Sequence, residues 1–498
     1  MAEIGLIDTS LRDGNQSLWG ATGLNTAMML GAAPLIERVG FRGIDYTSST
    51  HMAVAVRFKR EDPWERMRLM REMLVDTPMQ FLTTGFRFIS WETANPEFMQ
   101  LVYDTLVRNG IRRFAVADPM NDVGAMLANA RMIKKAGGEY VVCALTFTLS
   151  PVHDDAHYLA RAGKLAASAD VDALYMKDPG GLLAPDRAGA LVPAVKAAIG
   201  GTPLEVHSHC TIGLAEHLYL NAPDHGARTL HVATGALGDG ASNPPSQRTI
   251  ANLRERGHTV AIDDAALAEL AAYYAALADA EGLAAGAPQG FDAAYRRHQL
   301  PGGMVGTTRR HLAEARVGHA WDAVMAELGR VREELGWPIM MTPFSQLVLT
   351  QAVMNVTGGG GRYAVISDEL IRYALGRFGR PNTPIAAEVI DRIMSLPRTK
   401  ELRAEPDMAP LRELRRRIGA KFSDEEFLLR AVMPAEQVDA MKEAGPAKRR
   451  YEPVVTSALN MLRELTRRCD VNEVCVERPG FRVALRRNGT AKRTGAKA

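Results

Sequence analysis

Short apolar runs alternate with longer stretches of helical periodicity through the first half of the chain. Eight runs read as strands: Ile4–Asp8, Gly43–Thr47, Met79–Thr83, Arg113–Asp118, Tyr140–Thr146, Ala173–Lys177, Leu204–His209 and Thr229–Ala233. Between them the apolar positions recur with the period of one helix face. These stretches include Asn25–Arg38, Pro63–Met73, Pro96–Asn109, Val123–Ala136, Asp154–Ala167 and Pro185–Ala198. Eightfold alternation predicts an α/β fold, a (β/α)8 TIM barrel with its helices outside. Chemistry in such a barrel sits at the carboxyl ends of the strands.

Beyond the eighth strand the pattern changes. GALGDGASNPPSQRT reads as a loop, and Asp263–Glu281 as a helix with a dense Ala and Leu face. From Asp292 onward helical patterns dominate, at His311–Glu314, Ala320–Leu335, Ser345–Asn355, Asp368–Arg377, Ile385–Met394, Met408–Ile418, Asp424–Ala431 and Ala435–Ala444. The expected division is a barrel over residues 1–290, a mostly helical domain over 291–470 capping its mouth, and a small hairpin with a disordered basic tail over 471–498. Gly358–Gly361 lacks the Lys and Ser/Thr of a phosphate-binding loop.

Composition narrows the class. Of 498 residues 47% are apolar and 23% charged, as in a soluble globular protein. A net charge of +3 gives nucleic-acid binding little support. The basic clusters Arg415–Arg417, Lys448–Arg450 and the tail after Arg486 read as solvated surface. Cys143, Cys210, Cys469 and Cys475 match no zinc ribbon and no disulfide framework. Met1 runs into a strand without a signal peptide, and no apolar run reaches the roughly 18 residues of a membrane span. A cytoplasmic protein with reduced thiols is expected.

The candidate chemistry lies at three strand ends. His207 and His209 stand two residues apart, so on a strand they face the same side. Asp13 follows the first strand and Lys177 closes the sixth. A free lysine ammonium has no lone pair to give a metal. Carbamylated by CO2, Lys177 becomes an oxygen ligand. Asp13, Lys177, His207 and His209 then form a four-ligand cation site.

The stretches DTSLRDGNQS, REDPWERMR, MKDPGGLL, VHSHCTIG, HQLPGGM, TPFSQLVLTQAVMNV and RFGRPNTPI, in that order, resemble the carboxyltransferase domain of pyruvate carboxylase, transcarboxylase and the oxaloacetate decarboxylase alpha subunit. The resemblance covers roughly residues 4–400. It implies metal ligation by Asp13, carbamylated Lys177, His207 and His209. Arg12 would add fixed positive charge beside the reacting oxygen, and Gln16 a hydrogen bond. Zinc suits two imidazoles, while two oxygen ligands admit manganese or cobalt.

The chain departs from the family where the keto acid and biotin bind. Thr84 stands where the family's QMLLRG segment has arginine, Trp91 replaces a tyrosine, and Ala53 an aspartate. Ala241, beside Ser242, takes the place of a threonine, and Thr22 that of an arginine. Thr84, Trp91, Ala241 and Ser242 are therefore candidate substrate-pocket residues. The biotin attachment sequence AMKM itself does not occur. The expected function is that of a metal-dependent carboxyltransferase subunit. It moves a carboxyl group between carboxybiotin on a separate carrier protein and an enolisable acceptor other than pyruvate. The alternative is a biotin-independent decarboxylase or C–C lyase acting through an enolate. The resemblance further implies separate biotin carboxylase and carrier subunits, and a homodimer.

Overall fold

The computed structural model describes residues 1–453 apart from 91, 315 and 380, together with 473–478 and 481–486. Trp91 and the expected disordered tail lie outside the described residues.

Eight parallel strands close a barrel in sequence order: β1 (Gly5–Asp8), β2 (Gly43–Ser48), β3 (Met79–Thr84), β4 (Arg113–Ala117), β5 (Tyr140–Thr146), β6 (Ala173–Asp178), β7 (Leu204–Ser208) and β8 (Ala227–Val232). β8 pairs back onto β1 through Gly5↔Thr229 to Asp8↔Val232. Helices cover the outside, so nearly every strand residue is buried. That is why these strands read as apolar runs rather than as alternating patterns. Several helices start on a side chain that accepts an otherwise unpaired backbone N–H: Asn25 from Met28, Asn95 from Phe98, Asp154 from His157.

The barrel interior is less apolar than its outer layer. A small apolar cluster of Leu82, Ala115, Ala117, Val142, Ala144 and Tyr175 fills part of it. The rest is a hydrogen-bonded column. Gln80 accepts from Arg113 Nε at 2.7 Å, Arg113 grips Glu205 at 2.5 Å, and Glu205 meets His231 Nε2 at 3.0 Å. Tyr175 stacks on His231, ring centroids 5.4 Å apart.

The segment read as a loop through Thr249 ends earlier than expected, because a helix runs over Ser246–Glu255. Only Ile250 and Leu253 carry large apolar side chains there, too few to show a period. The helix read at His311–Glu314 begins nine residues sooner, at Gly302, where two glycines mask it.

Helices beyond the barrel divide between two cores. Leu300, Leu328, Val331, Phe344, Val348, Leu370, Tyr373 and Leu402 belong to a separate cluster. Leu414, Phe427, Leu429 and Val438 instead join the barrel's outer core. Trp64 Nε1 donates to the Glu425 carbonyl at 3.1 Å, and Phe98 meets Phe427 at 6.5 Å. The separate cluster is fastened over the mouth by Arg332. Its guanidinium donates to the Leu149 carbonyl at 2.9 Å and to Thr148 Oγ1 at 2.8 Å. Glu473–Arg478 and Phe481–Arg486 form an antiparallel pair. Among the described residues no helix is long and apolar enough to cross a membrane.

Candidate active site

Asp13 lies in a π-helical turn, Ser10–Gly14, directly after β1. The turn packs so closely that a Cβ on Gly14 would stand 2.9 Å from the Leu237 carbonyl. His207 is in β7, and His209 just past it on the same side. Lys177 is paired with His207 across the β6–β7 ladder. Asp13 Oδ2 lies 3.1 Å from His207 Nε2 and 3.4 Å from His209 Nε2, and the two imidazole nitrogens are 3.2 Å apart. Lys177 Nζ stands 3.4 Å from His207 Nε2 and 3.9 Å from Asp13 Oδ2.

Hydrogen-bond partners fix the tautomers. His209 Nδ1 donates to the Ala241 carbonyl at 2.7 Å, which leaves a lone pair on Nε2. His231 Nε2 donates to Glu205, so its Nδ1 accepts from His207 Nδ1 at 3.2 Å. His207 Nε2 therefore also carries a lone pair. Three lone-pair atoms from Asp13, His207 and His209 thus point at one spot, all within 4.8 Å of one another. Such crowding is unfavourable unless a cation lies between them, so the donor set fits a divalent metal. The second hydrogen bond on each histidine is the usual support of a metal ligand.

The electrostatics agree. Burial pushes Asp13's carboxyl up, but Arg12, His209 and His207 outweigh it and hold it well below its ordinary value. Burial and Lys177 push His207 well below the usual histidine range. Both ligands stay deprotonated near neutrality. Burial lowers Lys177 to about 8, against the pull of Asp13, so a larger share of it than of an ordinary lysine is the free amine, the form able to react with CO2. Burial pushes the Cys210 thiol up, consistent with a small buried side chain rather than a nucleophile.

Arg12 is clamped. Its Nε donates to Asp45 Oδ2 at 2.8 Å, its Nη2 reaches the same oxygen, and Nη2 also reaches Asp13 at 3.0 Å. Arg12, Asp13, Gln16, Thr84, Lys177 and His209 line one cavity of about 170 Å³. Ala241 lies instead on a second, larger cleft of about 1290 Å³ between the barrel mouth and the helical cap. Ser242 lines neither. Its side chain is fully buried, and its Oγ has no hydrogen-bond partner among the described residues.

Sequence reasoning passed over Asp45, Glu205, His231 and Asn243. Glu205 shares the alternation of His207 and His209 in EVHSH, which was a usable signal. Asn243 donates to the Ser208 carbonyl at 2.8 Å and lies 3.4 Å from His207 Nε2. Asp45, His231 and Asn243 carry no local signal; only barrel closure brings them here.

Comparison with known proteins adds an independent line. A family model described as a conserved carboxylase domain matches residues 296–475, and an HMGL-like model matches 120–273. A pyruvate carboxylase subunit of Methanocaldococcus jannaschii is 33% identical over 390 residues, which cover 78% of this chain and 68% of the relative. The methylmalonyl-CoA carboxyltransferase 5S subunit of Propionibacterium freudenreichii is 30% identical over 76% of this chain and 74% of its own. The 2-oxoglutarate carboxylase large subunit of Hydrogenobacter thermophilus is 29% identical over 90% of this chain and 70% of its own. The carboxyl transferase domain of Rhizobium etli pyruvate carboxylase superposes with a TM-score of 0.81 at 22% identity, covering 90% of this chain and 79% of that one.

Proposed function

This chain belongs to the carboxyltransferase family of pyruvate carboxylase, and on that premise we propose that it transfers a carboxyl group between carboxybiotin on a separate carrier and an enolisable acceptor other than pyruvate. As an enzyme of the carboxyltransferase type it needs a group to hold the charge of an enolate. The convergence of lone pairs from Asp13, His207 and His209 beside a small cavity is the observation that carries the reading. With carbamylated Lys177 they would hold the cation, zinc by preference, with manganese or cobalt also suited. Bound there, it supplies Lewis acidity to the acceptor's carbonyl oxygen.

The remaining roles belong to the protein. Arg12, held rigid by Asp45, keeps a permanent positive charge at the cavity wall where enolate charge develops. Gln16 offers an amide N–H to the same oxygen. The Glu205–His231–His207 chain keeps the ligand imidazole in one tautomer and one orientation. The larger cleft reaches Ala241, whose carbonyl fixes His209. It gives a carrier-borne group a path to the mouth. Thr84 at the wall, in place of the family's arginine, supports an acceptor other than pyruvate.

The relatives are themselves named as subunits of carboxylases and a carboxyltransferase, among them a large subunit and a 5S subunit. Those names support partner chains that supply biotin carboxylase and carrier functions. Assembly as a homodimer, and a cytoplasmic setting for Cys143 and Cys210 as thiols, complete the proposal. The test is transfer of label from a carboxylated biotin carrier domain to candidate acids in the presence of zinc. Label on a non-pyruvate acid is expected. Pyruvate labelled faster than every other acid overturns the acceptor assignment. Turnover that proceeds without any carrier favours a biotin-independent lyase on the same site.

A further inference from the structure

The cavity that Arg12 and Gln16 line has a second guanidinium in its wall. Arg87, three residues past Thr84 in the loop after β3, lines the same space and is only 7% exposed. Its surroundings are built to hold it there. Gly85 has φ +57°, and a Cβ on it would stand 3.2 Å from both Arg87 Nη1 and Asp118 Oδ2. A glycine is needed at that position for its backbone and for the space beside the charged pair. Asp118 Oδ1 accepts from Met120 N at 2.8 Å and Asp122 N at 3.0 Å, which anchors the carboxylate while Oδ2 faces the guanidinium. Phe378, from the helical cap, places its ring 5.4 Å from Arg87 Cζ. Ile89, on the same loop and the same wall, is held at φ +62°, a costly conformation for a β-branched residue.

The cavity's other fixed charges are already matched. Arg12 is shared between Asp45 and Asp13, while Asp13 and a Lys177 carbamate would oppose the metal. An anionic substrate needs a further cation on the wall, and Arg87, although it faces Asp118, is the guanidinium there that is not drawn into the Asp13 cluster. Its planar fork suits a carboxylate bidentately. Burial and Asp118 pull Arg87 in opposite directions, burial the more strongly, so a second anion relieves a desolvated cation. The remaining wall mixes apolar side chains, Leu82, Ile89 and Met340 among them, with neutral hydroxyls such as Ser48, Ser90 and Thr342. At about 170 Å³ the space lies below the roughly 300 Å³ where pockets for drug-sized ligands begin.

We propose that Arg87 is the specificity-determining residue that binds the carboxylate of the acceptor, a short-chain 2-oxo acid whose keto oxygen faces the Asp13–His207–His209 cluster. The proposal rests on the carboxyltransferase reading and deepens it by naming the acceptor's class and its anchor. The carboxylate is held from a point beyond the β3 tip where Thr84 sits. Acids with chains longer than pyruvate, such as 2-oxobutyrate or 2-oxoglutarate, are the members expected to fit best.

The test is calorimetric binding of oxamate, a 2-oxo acid mimic with no enolisable carbon, to the zinc-loaded full chain. Pyruvate, 2-oxobutyrate, 2-oxoglutarate and the neutral pyruvamide serve as comparison ligands. Arg87→Met, which keeps the stem that packs near Phe378, should weaken acid binding about 100-fold, the loss of a charge-assisted pair. Arg87→Lys should recover part of that loss, and pyruvamide should be insensitive to both changes. In the transfer assay the same variants should raise the acceptor KM far more than they lower kcat. Zinc content and melting temperature report whether each variant folds. An Arg87→Met protein with intact zinc that binds the acids as wild type does overturns the proposal. So does an equal loss for pyruvamide, or a wild-type protein that binds none of the acids. Acid binding that depends on Arg87 without any transfer from carboxybiotin would instead fail the carboxyltransferase reading and leave the anion site standing.

Discussion

The two ends of one cavity are built on different principles. At the inner end every candidate ligand stands on a strand or on the turn directly after one. Below it a chain of buried hydrogen bonds runs from Gln80 through Arg113, Glu205 and His231 to His207. At the outer end Thr84 closes β3, Arg87 and Ile89 lie on the loop beyond it, and Phe378 and Met340 come from the cap. Strands hold a reacting centre with little freedom, whereas loops change without loss of the scaffold. The contrast implies that the inner end sets the reaction and the outer end sets the acceptor.

The sharpest way to break that contrast is to remove a ligand. His207→Ala should release the metal and lower carboxyl transfer by about 1000-fold or more, since the cation supplies several kcal/mol of charge stabilisation. Metal analysis of the purified variant checks this. Zinc retained at wild-type stoichiometry would refute the ligand assignment.

Next in size is the buried column. Glu205→Gln leaves Arg113 without its counter-charge at 3% exposure. Breaking such a pair costs about 3–5 kcal/mol of stability, readable by urea titration. Its pH dependence has a defined sign. Burial would raise Glu205, but Arg113 and His231 hold it at about 2. The folded value lies below the unfolded one, so this stabilisation is full above the ordinary carboxylate range and is lost as pH falls toward 2. The gap between wild type and variant should therefore shrink on acidification. A gap independent of pH would mean that Glu205 contributes by packing alone.

Smaller again is the relay to the ligand. His231→Phe keeps a ring against Tyr175 but leaves His207 Nδ1 without its acceptor. Zinc affinity should weaken about 10–100-fold. Competition with a chelator measures it, and an unchanged affinity would detach the column from the metal's support.

The same contrast explains what could be read from the sequence. All eight strands were legible to within two residues because a parallel barrel buries both faces of every strand. Lys177 and the His207–His209 pair were legible because each donor closes a strand and the histidine spacing alternates. Asp13 needed the polar turn after β1. The supporting shell was not legible, because Asp45 and His231 act through partners that only barrel closure brings near. Arg87, set between aromatics in GFRF, reads as an ordinary loop residue until the fold turns it toward the cavity. Thr84 drew attention as the residue that stands where the family has arginine, yet the cation sits three positions further on.

That displacement yields the finest test. Thr84 lines the cavity beside Arg87 but offers only a neutral hydroxyl. A neutral hydrogen bond contributes about 1 kcal/mol, so Thr84→Val should shift the acceptor KM by no more than roughly tenfold and leave zinc affinity untouched. Thr84→Arg sharpens the comparison. A guanidinium at the β3 tip would compete with Arg87 for the acid's carboxylate and draw it toward shorter chains. The ratio of pyruvate to 2-oxobutyrate turnover should rise in that variant and rise further in Thr84→Arg/Arg87→Met. If the ratio ignores both substitutions, the outer wall does not choose the acceptor, and selectivity must lie with the inner end.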